Sequence, residues 1–132
     1  MMISKDNNQI NLYYHPDYSL SKKCLAIAHA NKAVIFPIDI SKAGISQTDW
    51  SEMAKMLNQS VVDLINLNHP SITSKFGKSP NIDEFDALKI IENHPEVVDK
   101  PIAIRGNKIV RASHANDILQ LQSADTGEIK IP

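Results

Sequence analysis

Apolar and polar positions along this chain repeat with two periods, and the switches between them mark out its elements. Gln9 to Tyr14 reads as a first strand, bounded downstream by His15-Pro16. Leu20, Cys24, Ile27 and Ala28 then recur at i, i+4, i+7 and i+8, which predicts a helix from Leu20 to about Ala30. Ala33 to Ile38 is a second strand, and Pro37 predicts an edge or terminal position because proline cannot donate to a ladder. Strand, helix and strand of this length imply a right-handed parallel crossover.

Ser46-Gln47-Thr48-Asp49 has the cap and early acid of a helix start, and Trp50, Met53, Ala54 and Leu57 follow as its core face. Ser60-Val61-Val62-Asp63 repeats the capping pattern and predicts a short helix through Leu67. Asn68 to Pro80, rich in Ser, Pro and Lys, reads as a long loop. Asn81 is the expected cap of the next helix, with Phe85, Leu88 and Ile91 as its buried stripe. Pro101 to Ile104 and Lys108 to Arg111 flank a turn at Arg105-Gly106-Asn107 and form a hairpin. Ser113 caps a closing helix with Ala115, Ile118 and Leu119 apolar. Residues 1–8 read as a frayed start and 122–132 as a tail, giving one domain over 1–132 with its core at about 9–121.

Composition narrows the function classes. The chain has 132 residues, 42% hydrophobic and 22% charged, which fits a single domain with a real core and argues against disorder. No apolar run approaches the ~20 residues of a membrane span, and the first residues lack the apolar stretch of a secretion signal. Fourteen basic and fifteen acidic residues leave a net charge of −1, so nothing draws the protein directly to nucleic acid. One cysteine excludes an internal disulfide and points to a reducing cytoplasm.

The candidate site is where the first strand gives way to the first helix, over His15-Pro16-Asp17-Tyr18-Ser19-Leu20-Ser21. A helix that begins there aims free N–H groups and the positive end of its dipole at one spot. Asp17 or Ser19 is the expected cap.

This segment resembles the active-site segment of the arsenate reductase family, thioredoxin-fold proteins related to glutaredoxins and to the Spx-type regulators. That family has a strand, an Asn-Pro pair, one residue, the catalytic cysteine and a Ser-bearing helix start. Here His15-Pro16 takes the pair, Asp17 follows, Tyr18 stands at the cysteine position and Ser21 matches the serine. A second block resembles the family more fully: His94-Pro95, Lys100-Pro101-Ile102-Ala103-Ile104, and Gly106-Asn107-Lys108-Ile109-Val110-Arg111. The resemblance covers about residues 10–121 and implies an α/β thioredoxin-like fold: β-α-β, an inserted helical lobe, a β-hairpin and a C-terminal helix. It further implies a cis bond before Pro101, with the preceding residue free to pair with an extended thiol peptide.

The family's chemistry is thinned out in this chain. Arsenate reduction needs a thiolate at the helix mouth, and a phenol cannot replace it. Of the family's three oxyanion-binding arginines only Arg111 is kept; Lys100 replaces one and Asn66 the other. Lysine retains charge but loses the bidentate fork. Cys24 lies six residues past Tyr18, ~9 Å along the helix and on its apolar face, so it reads as a buried hydrophobe. Ser19 and Ser21 have no positioned base and read as capping residues. His15, His29, His69, His94 and His114 lack metal-site spacing. Neither a metal nor a cofactor is expected.

The sequence is therefore read as a non-catalytic arsenate reductase-like or Spx-like protein, its degenerate site made of Tyr18 and Ser21. Ligand contacts fall to His15, Ser19, Lys22, Lys100, Pro101 and Arg111, with Lys22, Lys100 and Arg111 converging on the helix mouth. The expected partner is a protein, a thiol peptide or a small anion. The alternative is a thiol oxidoreductase or arsenate reductase that uses Cys24 with glutathione or a glutaredoxin. A third reading is a scaffold whose ligand lies in the Asn68–Pro80 loop.

Overall fold

A computed structural model describes residues 8–30, 34–78 and 80–121. The expected frayed start up to residue 7, Ala33 and the expected tail 122–132 lie outside them. Four strands form one sheet in the order β2-β1-β3-β4: β1 (Gln9–Tyr14), β2 (Val34–Asp39), β3 (Ile102–Arg105) and β4 (Lys108–Arg111). β1 pairs parallel with β2, Gln9 opposite Val34 through Tyr14 opposite Asp39. β1 pairs antiparallel with β3, and β3 with β4. Pro37 accordingly lies on an edge strand.

Period-two alternation divides the core between the two faces of the sheet. Ile10, Leu12 and Ala103 pack with Cys24 and Ala28 of α1 (Ser19–His29) and with Ile118 and Leu121 of the closing helix. Tyr13, Ile102 and Ile104 point the other way, into the larger cluster. There they meet α2 (Gln47–Met56), the 3-10 turn Val61–Leu64, α3 (Pro70–Phe76) and α4 (Glu84–Asn93), through Trp50, Met53, Leu64, Ile72 and Ile91. The result is the thioredoxin-like α/β arrangement with an inserted helical lobe.

Several local expectations give way. The stretch read as a loop from Asn68 to Pro80 contains α3, with Pro70 in its first turn and His69 as N-cap, His69 Nδ1 accepting from the Ser71 N–H at 3.0 Å. The turn after Ser60 does carry a capping box, Ser60 with Asp63, but it ends at Leu64. Asp83, not Asn81, caps α4 by accepting from the Asp86 N–H at 2.8 Å. Of the expected stripe, Ile91 is buried and Leu88 packs against the core, while Phe85 is 60% exposed and Ala87 and Ile90 complete the buried face. The closing helix is a 3-10 helix, Ala115–Leu121, which buries Ile118 and Leu121 and exposes Leu119. Its entry is held by the Asp117 carboxylate, which accepts from the Ser113 and His114 N–H groups, not by a Ser113 cap.

The bond before Pro101 also departs from the resemblance. No peptide bond among the described residues is cis. The Lys100–Pro101 bond takes the trans state that X–Pro bonds ordinarily favour. The Pro101 carbonyl accepts from the Ala112 N–H at 2.9 Å, extending the β3–β4 ladder by one rung.

Candidate functional site

The end of β1 brings the chain to His15-Pro16, where a turn closes with the Tyr18 N–H reaching the His15 carbonyl at 3.4 Å. Tyr18 is thereby the N-cap of α1, in extended backbone (φ −104°, ψ 133°), and no side chain caps this end. The expected cap from Asp17 or Ser19 is absent for a local reason. Asp17 gives its own N–H to His15 Nδ1 at 3.2 Å and turns its carboxylate to solvent. Ser19 is already the first helical residue and is exposed.

The Tyr18 ring lies edge-on against the buried His15 ring, centroids 5.6 Å apart. Its hydroxyl donates to the main-chain carbonyl of Glu96. Burial pushes the phenol's pKa up, and the carboxylates of Asp99, Glu96 and Asp17 push it further in the same direction. The Glu96 side chain is a second junction: its Oε2 accepts from Ser71 Oγ at 2.7 Å and lies 3.2 Å from His94 Nδ1. Burial alone would raise its pKa, but these hydrogen bonds, one from its own main chain and the field of His94 outweigh that and lower it. One residue therefore ties the α1 mouth to α3 and to the end of α4.

Arg111 ends β4 half-buried, its Nε enclosed and without a partner among the described residues. Burial lowers its pKa, against the opposing pull of Asp99 and Asp63. Asp99 is held by Asn66 Nδ2 at 3.1 Å. The position at which the resemblance implies a third arginine thus carries an amide bound to a carboxylate. Arg111 faces negative charge supplied by the chain itself.

The expected convergence of three cations is not what the side chains do. Lys22 is exposed and Lys100 half-buried, and neither side chain makes a hydrogen bond or ion pair among the described residues. His15 is only 6% exposed and faces inward; Pro101 is buried in the sheet. Ser21 is enclosed, its Oγ without a partner among the described residues. Cys24 is fully buried among Leu12, Ala28 and Ile118, and its thiol is pushed up to about 11, by burial first and by Asp117 second. Among the described residues no group of three or more His, Cys, Asp or Glu side chains is placed to hold a metal. No helix there is long and apolar enough to cross a membrane. Sequence reasoning missed Asp99 and Glu96, isolated acids with no motif around them.

Fold and site together define a thioredoxin-like protein whose helix mouth carries a phenol. No family model matches the sequence, and no curated protein matches it either. Solved structures do match. An arsenate reductase from Vibrio cholerae superposes with a TM-score of 0.76 at 14% identity, over 88% of this chain and 99% of that one. The YFFB (PA3664) protein gives 0.70 at 14% identity over 86% and 98%. A possible arsenate reductase from Streptococcus mutans UA159 gives 0.63 at 16% identity over 86% and 99%. The chain has the thioredoxin-like fold of the arsenate reductases.

Proposed function

We propose that this chain is a non-catalytic arsenate reductase-like protein of the cytoplasm that binds a peptide segment of a protein partner beside Tyr18. The observation that carries the reading is the Tyr18 hydroxyl bonded to the Glu96 carbonyl where the resemblance calls for sulfur. The lone thiol supports it too, buried in the core beneath α1 and held protonated near neutral pH.

A peptide is favoured over a small oxyanion by the charges around Arg111. Asp99 and Asp63 already offset its guanidinium, and an incoming oxyanion would meet their repulsion. An extended peptide needs main-chain partners instead. The N–H and carbonyl of Lys100 make no hydrogen bond among the described residues, so they are open to a strand laid alongside.

The test uses S-methylglutathione, a thiol-peptide analogue that cannot exchange. Titrated into isotope-labelled protein, it should shift the amides of Tyr18, Asp99 and Lys100 saturably. Arsenate with glutathione and glutaredoxin should show no turnover above the uncatalysed rate. Turnover that disappears in Cys24→Ser would establish the thiol enzyme instead, and no shift at those amides would remove the peptide site.

A further inference from the structure

A cavity of about 600 Å³ lies between the end of α4 and the segment that leads from β2 into α2. Tyr18, Asp99 and Arg111 do not line it, so it is separate from the helix mouth. Its floor is apolar, made by Ile40, Ile45 and the chain's single tryptophan, Trp50. One wall is the last turn of α4, ending in Ile91, Glu92 and Asn93, with Pro95 just beyond.

That wall is rich in unused acceptors. The last carbonyls of a helix have no partner within it. Here the His94 N–H goes to the Ile90 carbonyl, and Pro95 has no N–H to give to Ile91. The carbonyls of Ile91, Glu92 and Asn93 therefore accept no hydrogen bond among the described residues. Asn93 spends its Nδ2 on the Lys89 carbonyl at 3.1 Å, which leaves its Oδ1 as one more acceptor.

Charge at this end is negative as well. A basic residue in the last turn would offset the helix dipole, and α4 has none. It carries Glu92 there instead. Glu92 Oε1 accepts from the neutral Gln47 amide at 3.0 Å, and its carboxylate has no ion pair among the described residues. Lys42 brings one positive charge to the lining, and Asp39, which holds the neighbouring Ser41 N–H at 2.9 Å, offsets it. Glu92 is left as the unbalanced charge.

We propose that this cavity binds an alkylguanidinium group. The planar cation has five N–H donors in a fixed fork, which can answer several of these acceptors at once. It is also more weakly hydrated than an ammonium, so it gives up less on entering. Its alkyl chain lies over Ile40, Ile45 and Trp50.

The probe is butylguanidinium, with neutral butylurea and butylammonium as controls for charge and for fork geometry. Titrated into the isotope-labelled full chain, it should shift the amides of Ile45, Trp50, Glu92 and Asn93 saturably. Both controls should bind about tenfold more weakly or worse. Glu92→Gln removes an exposed charge from the wrong end of a helix, so the variant should fold at least as stably as wild type. It should nevertheless lose about tenfold in affinity. Lys42→Gln should bind as tightly as wild type or tighter, because Lys42 makes no contact with the ligand. N-acetylarginine N-methylamide separates the two sources of the group: binding as tight as butylguanidinium assigns it to an arginine side chain of a polypeptide, and weaker binding to a free alkylguanidine. Either control matching butylguanidinium, affinity unchanged in Glu92→Gln, affinity lost in Lys42→Gln, or shifts centred on Tyr18 and Asp99 would each overturn the site.

Discussion

The Tyr18 hydroxyl donates to the Glu96 main-chain carbonyl across 78 residues of sequence, and this bond joins the first helix to the segment that follows the last helix of the lobe. Because the Glu96 side chain in turn holds Ser71 and His94, the helix mouth and the lobe share one fixed point. A cysteine at position 18 has neither the reach nor the donor strength for that bond. The phenol acts as a strut between two parts of the fold.

Removing the strut has a measurable cost. Tyr18→Phe should lose about 0.5–1.5 kcal/mol in urea unfolding, the usual net worth of one hydrogen bond. The pH dependence has a definite sign. Tyr18 has a raised pKa in the fold, so its contribution is complete below the unfolded phenol's pKa of about 10 and fades as pH rises through the folded value. Wild type should therefore lose stability more steeply than Tyr18→Phe above about pH 10. Parallel profiles would show that the phenol is not held by this bond.

Cys24 should be silent in the native state. Fully buried, with its thiol raised to about 11, it should react with a hydrophilic disulfide reagent only at the rate of unfolding and release one equivalent past the denaturation midpoint. Its raised pKa stabilises the fold fully below the unfolded thiol's ~8.5, and that contribution is lost as pH rises through about 11. Cys24→Ser should cost about 1–3 kcal/mol by burying a hydroxyl with no partner. Rapid labelling in native buffer would return the thiol enzyme to consideration.

The acid side is set by Glu96. Its lowered pKa gives stability that is present above the unfolded carboxyl's ~4.3 and lost as pH falls through the folded value. Glu96→Gln should flatten the acid limb of the stability profile relative to wild type, read by thermal unfolding between about pH 6 and pH 3. An acid limb unchanged by the substitution would detach Glu96 from the Ser71–His94 junction.

Strands and long amphipathic helices were legible because burial imposes its period on the sequence. Ile10 and Leu12 against Asn11 and Tyr13 divide the two faces of β1. The helix α3 was not, since in seven residues it buries only Ile72. Its sole local signal, His69 before Pro70, is an uncommon cap followed by a common first-turn residue. The α4 stripe was legible at Ile91 and Leu88 but not at Phe85, because an i, i+3 spacing fits more than one face of a helix and only tertiary packing selects Ala87 and Ile90 beside Ile91. The site was legible as a place but not in its electrostatics. Asp99 and Asn66 are 33 residues apart and meet only in the fold.

The phase of α4 can be checked directly. Ile91→Ala, at 1% exposure, should cost about 2–5 kcal/mol. Phe85→Ser, on an exposed ring that only covers the Lys89 ammonium, should stay within about 1 kcal/mol. Equal losses at the two positions would restore the stripe that the spacing of Phe85, Leu88 and Ile91 suggests.

The charges about Arg111 make the strongest demand. Asp99 is shared between Asn66 and the field of the guanidinium, so it occupies by charge the role an oxyanion would otherwise play. Asp99→Asn removes that charge and keeps the size. Arg111 then retains only Asp63 as a named counter-charge, and a partly buried cation with less compensation recruits anions from solution. Sulfate at about 10 mM should raise the melting temperature of Asp99→Asn by several degrees more than that of wild type, and the difference should vanish in the double variant Asp99→Asn/Arg111→Gln. If wild type responds to sulfate as strongly as the variant, the chain's own carboxylates do not close this subsite, and a small anion returns as its ligand in place of a peptide.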